Sequence, residues 1–398
     1  MLNIVFYFQV HQPYRLKHFN VLDIGTGINI FDDASNKAIM QKVAEKCYLP
    51  ANKLMLELIK QNEGRFKIAY SITGTSIEQF KLYAPEVLDS FKELVDTGHV
   101  ELIGETYYHS LSYLYDTNEF LEQVQMHRDL MQSEFGYYTE TFRNTELIYQ
   151  DSLSDVIYEI EGFKTILTEG VDRILDWRSP LFAYKNYSKS LNLLLKYYKL
   201  SDDIAFRFSN RDWPEFPLTV DKFIKWIDHL TLAETENRNL FLNLFMDYET
   251  FGEHQWAETG IFEFVKHLPK AVLKKKHLGF KTPKETAELA NYQQESLSFP
   301  EPVSWADEQR DLSAWLENDM QKNAIKTLYE ILKKIKQSGD PVLLEQARKL
   351  TTSDHFYYMC TKYFQDGDVH KYFSPYDSPD QAYVYFINAL VELEERIL

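Results

Sequence analysis

A chain of 398 residues exceeds the size at which one hydrophobic core keeps growing, so it holds either one large α/β domain with an appendage or two ordinary domains. Its 44% apolar and 26% charged residues exclude a disordered, collagenous or coiled-coil chain. With 60 acidic against 43 basic side chains, a net charge of −17 repels duplex nucleic acid and anionic membrane, and two distant cysteines, Cys47 and Cys360, signal neither a disulfide framework nor a zinc site.

The chain opens on an apolar run, Asn3 to Val10, that lacks the basic start and small-residue cleavage site of a secretory signal. It reads as a buried strand, with His11, Gln12 and Pro13 directly behind it. A second strand is predicted from Phe66 to Thr73. Pro85 then occupies the first turn of a helix whose apolar stripe is Val87, Leu88, Phe91, Leu94 and Val95, and Gly98 stops it. The third strand, His99 to Gly104, leads into Glu105 and His109. Another helix starts at Asp116 or Thr117, runs through Leu121, Val124, Leu130 and Met131, and stops at Gly136. Shorter strands are predicted at Thr139 to Arg143, ahead of Glu146, at Lys164 to Thr168 and at Ile204 to Phe208. The last, Leu240 to Met246, is followed by Asp247, Glu249, Glu253 and His254. Unbroken apolar runs alternating with amphipathic helices predict βαβ units around a parallel sheet or barrel.

Past about residue 270 the pattern changes. Pro283, Pro300 and Pro302 punctuate a polar stretch, and the spacing of Ala324, Ile325, Leu328, Leu332 and Ile335 is helical. A catalytic barrel over 1–270 followed by a helical region over 271–398 is the expected organisation. No internal repeat is visible, and no apolar run approaches the roughly 18 to 20 residues needed to cross a bilayer. A cytoplasmic location is the matching expectation.

Residues that follow barrel strands converge on one rim, where chemistry is placed. Asp247, Glu249 and Glu253 behind a strand are therefore candidates, although Asp247 could instead cap a helix with the two glutamates on its solvated face. Glu146 stands among apolar and aromatic neighbours three residues after Arg143, a spacing that also suits a structural salt bridge. His11, His109 and Asp247 include metal-ligand types, but their spacing lends a metal no support. Tyr107, Tyr108, Tyr248, Trp256, Trp305, Trp315, Tyr357 and Tyr358 lie near these motifs, and aromatic faces beside carboxylates suit a sugar cleft.

Together these segments resemble glycoside hydrolase family 57. His11-Gln12-Pro13 looks like its first motif, Gly104 through His109 its second, and Arg143-Asn144-Thr145-Glu146 its third. Asp247 through Gly252 looks like the fourth, and Ser353 through Tyr358 the fifth. The resemblance implies an incomplete seven-stranded (β/α)7 barrel with a mainly helical C-terminal region closing the cleft. It implies Glu146 as nucleophile and Asp247 as general acid/base in a retaining double displacement on an α-glucan or maltooligosaccharide. His11, His109, Glu249 and Asp354 match its sugar-binding positions, and Glu105, Arg143, Trp256 and Trp305 join them as candidates. No metal and no cofactor are expected. The chain departs from the family in carrying His355, Tyr357 and Tyr358 where relatives have tryptophan, and Arg143 and Asn144 where hydrophobic residues are usual. Transfer by a 4-α-glucanotransferase or branching enzyme shares the same intermediate. A metal-dependent polysaccharide deacetylase, with an ion between His11, His109 and Asp247, and a noncatalytic glucan binder are the competing readings.

Overall fold

A computed structural model describes residues 1–232, 238–290, 295–362 and 374–397. The strands are β1 (Leu2–Val10), β2 (Ile68–Ile72), β3 (Val100–Leu102), β4 (Thr141–Arg143), β5 (Thr165–Glu169), β6 (Tyr184–Lys185), β7 (Asn192–Lys196), β8 (Leu240–Asp247) and β9 (Leu278–Phe280). β1 pairs in parallel with β8 from Leu2 opposite Leu240 to Gln9 opposite Asp247. Its other edge is shared, with β9 against Leu2 to Ile4 and β2 against Phe6 to Val10. β2 continues to β3, while β4, β5 and β7 form a second parallel set edged by the antiparallel β6.

The two sets meet at two seams. The Gly104 N–H donates to the Thr141 carbonyl at 2.9 Å and the Arg143 N–H to the Gly104 carbonyl at 2.8 Å. Across the other seam, the Tyr197 N–H donates to the Asn243 carbonyl at 2.8 Å, and the Asn243 amide donates to the Leu195 carbonyl at 2.9 Å. β1, β2, β3, β4, β5, β7 and β8 thus complete a ring of parallel strands wrapped by helices, the expected barrel.

Strand alternation decides what the ring contains. Val5, Tyr7, Ala69, Ile103, Leu167, Leu194, Phe241 and Phe245 fill the interior. Leu2, Ile4, Phe6, Phe8 and Val10 face the helical layer instead. Two residues further along, the inward positions become Gln9, Ser71, Glu105, Glu169, Lys196 and Asp247. The lumen therefore turns from apolar to charged at the strand ends.

Two helices begin and end as expected. Pro85 is the first residue of Pro85–Asp96. Asp116 caps Thr117–Phe135 by accepting from the Asn118 and Glu119 N–H groups, and Gly136 ends it with φ 62°. One expected strand is absent. Residues 204–208 are not extended: Leu200 and Ile204, four apart, form the buried side of the helix Tyr198–Ala205, and Phe206 is exposed. The strand of that unit is β7, with the buried triplet Leu193, Leu194 and Leu195. The barrel sheet also takes β9, beyond residue 270.

The helices Asp319–Ser338, Pro341–Lys349 and Pro379–Glu395 share their own core, which includes Ile325, Leu328, Leu332, Leu390 and Leu393. Tyr14, Leu16, Phe19, Ile30 and Phe31 from the loop after β1 enter that core, tying it to the rim. Among the described residues no helix is long and apolar enough to cross a membrane. Cys47 and Cys360 are buried and outside any disulfide.

Candidate active site

β4 ends at Arg143, and the chain then turns sharply, with Glu146 at φ 58°, ψ 24° and Leu147 at φ 53°. Left-handed backbone at two consecutive non-glycine residues is strained and persists only where packing over-determines it. Here Leu147 is buried in the barrel and Tyr149 against the outer layer, which leaves the Glu146 carboxyl at the rim. Three side chains donate to that carboxyl: Ser353 Oγ to Oε1 at 2.9 Å, His109 Nε2 to Oε1 at 3.3 Å and Trp305 Nε1 to Oε2 at 2.7 Å. Burial alone would raise the Glu146 pKa, but the hydrogen bond and charge of His109, with the Arg143 charge, hold it below the ordinary glutamate value.

His109, also left-handed at φ 53°, gives its other nitrogen to Glu105 Oε2 at 3.2 Å. Burial opposes its protonation, yet hydrogen bonds to Glu105 and Glu146 push its pKa up to about 9. That shift favours the protonated ring between its two carboxylates, although Arg143 Nη1 also lies 3.3 Å from Nδ1. Glu105 also accepts from Gln9 Nε2 at 3.1 Å and has Arg143 Nη1 at 3.7 Å. Burial would raise Glu105, but the His109 hydrogen bond and charge, with Arg143, bring it down to about 2. The anticipated pairing of Arg143 with Glu146 is replaced by this one: Arg143 is fully buried beside Glu105, with its guanidinium 5.0 Å from the Trp305 ring centre.

The His11 ring stacks on His109 at 4.1 Å. Its Nε2 lies 2.9 Å from Asp354 Oδ2 and its Nδ1 3.0 Å from the Thr73 hydroxyl. Burial and the His109 charge lower the His11 pKa, against the pull of Asp354. Although burial would raise Asp354, the His11 and His109 rings beside it hold its carboxyl well below the usual range.

Asp247 ends β8 opposite Gln9. It starts the turn Tyr248–Thr250 without a side-chain capping bond, and Glu249 is 5% exposed, so the helix-cap reading fails. Burial first, and then the Glu146 charge, raise the Asp247 pKa to about 6. Glu249 accepts from the His11 N–H at 3.3 Å and from the Tyr48 hydroxyl. Burial and the Asp247 charge push it up to about 8. Glu253 turns outward to Lys42.

His11, Glu105, His109, Arg143, Glu146, Asp247, Glu249, Trp305 and Asp354 thus form one connected cluster. Trp256 stands apart: it is 57% exposed, and among the described residues no side-chain hydrogen bond joins it to the cluster. Tyr248 and Trp315 are core residues. Among the described residues no three of His, Cys, Asp and Glu form a group able to hold a metal ion, and His109 is committed to its two glutamates. Gln9, Tyr48, Thr73 and Ser353 also belong to the cluster but are not among the candidate site residues of the sequence. Strand parity with Tyr7 would have flagged Gln9, and adjacency to Asp354 would have flagged Ser353. No local signal marks Tyr48, which depends on the π-helical turn Ala44–Tyr48.

The sequence pattern of glycosyl hydrolase family 57 matches residues 5–300. The chain belongs to that family. It is 43% identical over 405 residues to a protein of Methanocaldococcus jannaschii provisionally named an alpha-amylase, covering 99% of this chain and 84% of that one. Among solved structures, this family 57 chain superposes on the branching enzyme of Pyrococcus horikoshii with a TM-score of 0.70 at 15% identity, covering 93% of this chain and 86% of that one. The 4-alpha-glucanotransferase of Thermococcus litoralis gives 0.67 at 15% identity and 89% coverage of this chain, which spans 56% of that enzyme's length. At these identities the likeness establishes a shared fold.

Proposed function

We propose that the chain is a retaining glycoside hydrolase of the α-amylase kind acting on α-1,4-glucans, with Glu146 as nucleophile and Asp247 as general acid/base. The observation that carries this reading is the contrast between the two carboxyls. Three donors keep Glu146 ionised, whereas burial beside that charge keeps Asp247 protonated to about pH 6. In the first step Glu146 attacks the anomeric carbon while Asp247 gives its proton to the departing glycosidic oxygen. In the second, Asp247 takes a proton from water, which attacks the same carbon and frees Glu146. His11, His109, Glu249 and Asp354 surround the ring of the cleaved sugar, where bonds that tighten in the oxocarbenium-like transition state raise turnover. The glucan-acting names of the relatives support this substrate class.

Proton NMR of the first product from a maltooligosaccharide tests the stereochemistry: the α-anomer is expected, and initial release of the β-anomer refutes retention. Sizing the products of maltoheptaose separates outcomes after the glycosyl-enzyme. Only shorter oligomers mean hydrolysis, and longer ones mean transfer to a sugar. Glu146→Gln and Asp247→Asn should each lose activity by at least about a thousandfold.

A further inference from the structure

Trp305 comes from the chain's last third and meets Glu146 twice. Val303 pairs with Tyr149 through N–H to carbonyl bonds of 2.9 and 3.1 Å, which lays the following segment along the strained turn. The Trp305 main-chain N–H then donates to the Glu146 carbonyl at 3.1 Å, while its indole N–H donates to Glu146 Oε2 at 2.7 Å. One residue thus holds both the backbone and the carboxyl of Glu146. Two protein cations lie near the ring, the Arg143 guanidinium 5.0 Å and the Lys196 ammonium 5.4 Å from its centre. Lys196 is anchored to Asp202 at 3.1 Å and Glu169 at 3.6 Å, and Arg310, on the same loop as Trp305, lies 3.4 Å from Asp202 and 3.8 Å from Glu169. Arg143 and Lys196 thus already lie over the ring, which is only partly exposed.

We propose that Trp305 is a positioning residue for Glu146, aiming its carboxylate through the indole N–H, and not a platform for substrate. The inference rests on the nucleophile role proposed for Glu146. Its consequence depends on the charges around that carboxyl. His109 and Arg143 favour the ionised form, Asp354 and Asp247 oppose it, and Lys196 lies across the ring.

Trp305→Phe keeps an aromatic face and leaves all of these charges in place, removing only the N–H. The expected result is a fall in kcat of about tenfold to a hundredfold, the scale of one hydrogen bond to a charged group, with KM within about threefold. The acidic limb of kcat/KM should move to higher pH by about one pH unit, because the ionised form has lost a donor. A raised KM with kcat and the limb unchanged would mean that Trp305 serves as a stacking surface and would overturn the inference. Should Trp305→Phe fail to fold, the wild type supplies a second readout. Its tryptophan fluorescence should titrate below the ordinary glutamate range with a step missing from Glu146→Gln, and identical titration curves would refute the contact. If Glu146→Gln retains wild-type turnover, the mechanism itself falls. If Glu146→Gln is inactive while Trp305→Phe leaves kcat and the limb in place, only the positioning role falls.

Discussion

His109 faces Glu105 and Glu146, and this separates the two carboxyls proposed to react: Glu146 has a cationic partner, whereas Asp247 feels Glu146 as a negative neighbour. Activity should therefore decline as pH rises through about 6, where Asp247 loses its proton, and this limb should appear in kcat/KM. Glu146→Gln removes the neighbouring charge and should lower the Asp247 pKa, which carbon NMR of labelled aspartate would measure; an unchanged value would mean that the two do not interact. Glu249 gives a prediction about stability. Its folded pKa of about 8 lies above that of an unfolded glutamate, so the native state binds more protons than the unfolded state between those values. Stability contributed by the protonated group is thus lost as pH rises from about 4.5 to about 8. Glu249→Gln should flatten that part of a Tm against pH curve, whatever it does to turnover.

Among the elements, those bounded by local chemistry were legible from sequence. Asp116 and Gly136 enclose their helix because a side-chain oxygen satisfies free N–H groups at one end and a glycine accepts the left-handed turn at the other. Asp116→Ala should cost about 1 kcal/mol in urea unfolding and leave turnover unchanged. β7 was missed because a five-residue strand with a short apolar triplet lacks a signature of its own, while the apolar residues of the next helix imitated one. Gly252 belongs to a different class. Its φ is 114°, and a Cβ there would meet the Lys46 carbonyl oxygen at 2.0 Å. Gly252→Ala should displace the segment carrying Glu249 from the π-helical turn that supplies Tyr48, reducing both Tm and kcat; wild-type values for both would show that the contact yields easily.

For the molecule as a whole, the ends of strands were a better guide than any single motif. Parity along β1 and β8 sends Gln9 and Asp247 inward, so barrel geometry and alternation together predict much of the charged rim. What sequence could not show was partnership over long separations: Tyr48 with Glu249, Trp305 and Ser353 with Glu146, and Arg143 with Glu105 instead of its near neighbour. Such pairs exist only after the barrel closes and the helical region docks.

The same arrangement imposes an order on biosynthesis. The imidazole behind the first strand is made 343 positions before the carboxylate it binds. A nascent chain whose early strands have already paired on the ribosome must carry that ring, stacked on His109, with its hydrogen-bond partner still untranslated. The rim is complete only when nearly all of the polypeptide has left the exit tunnel.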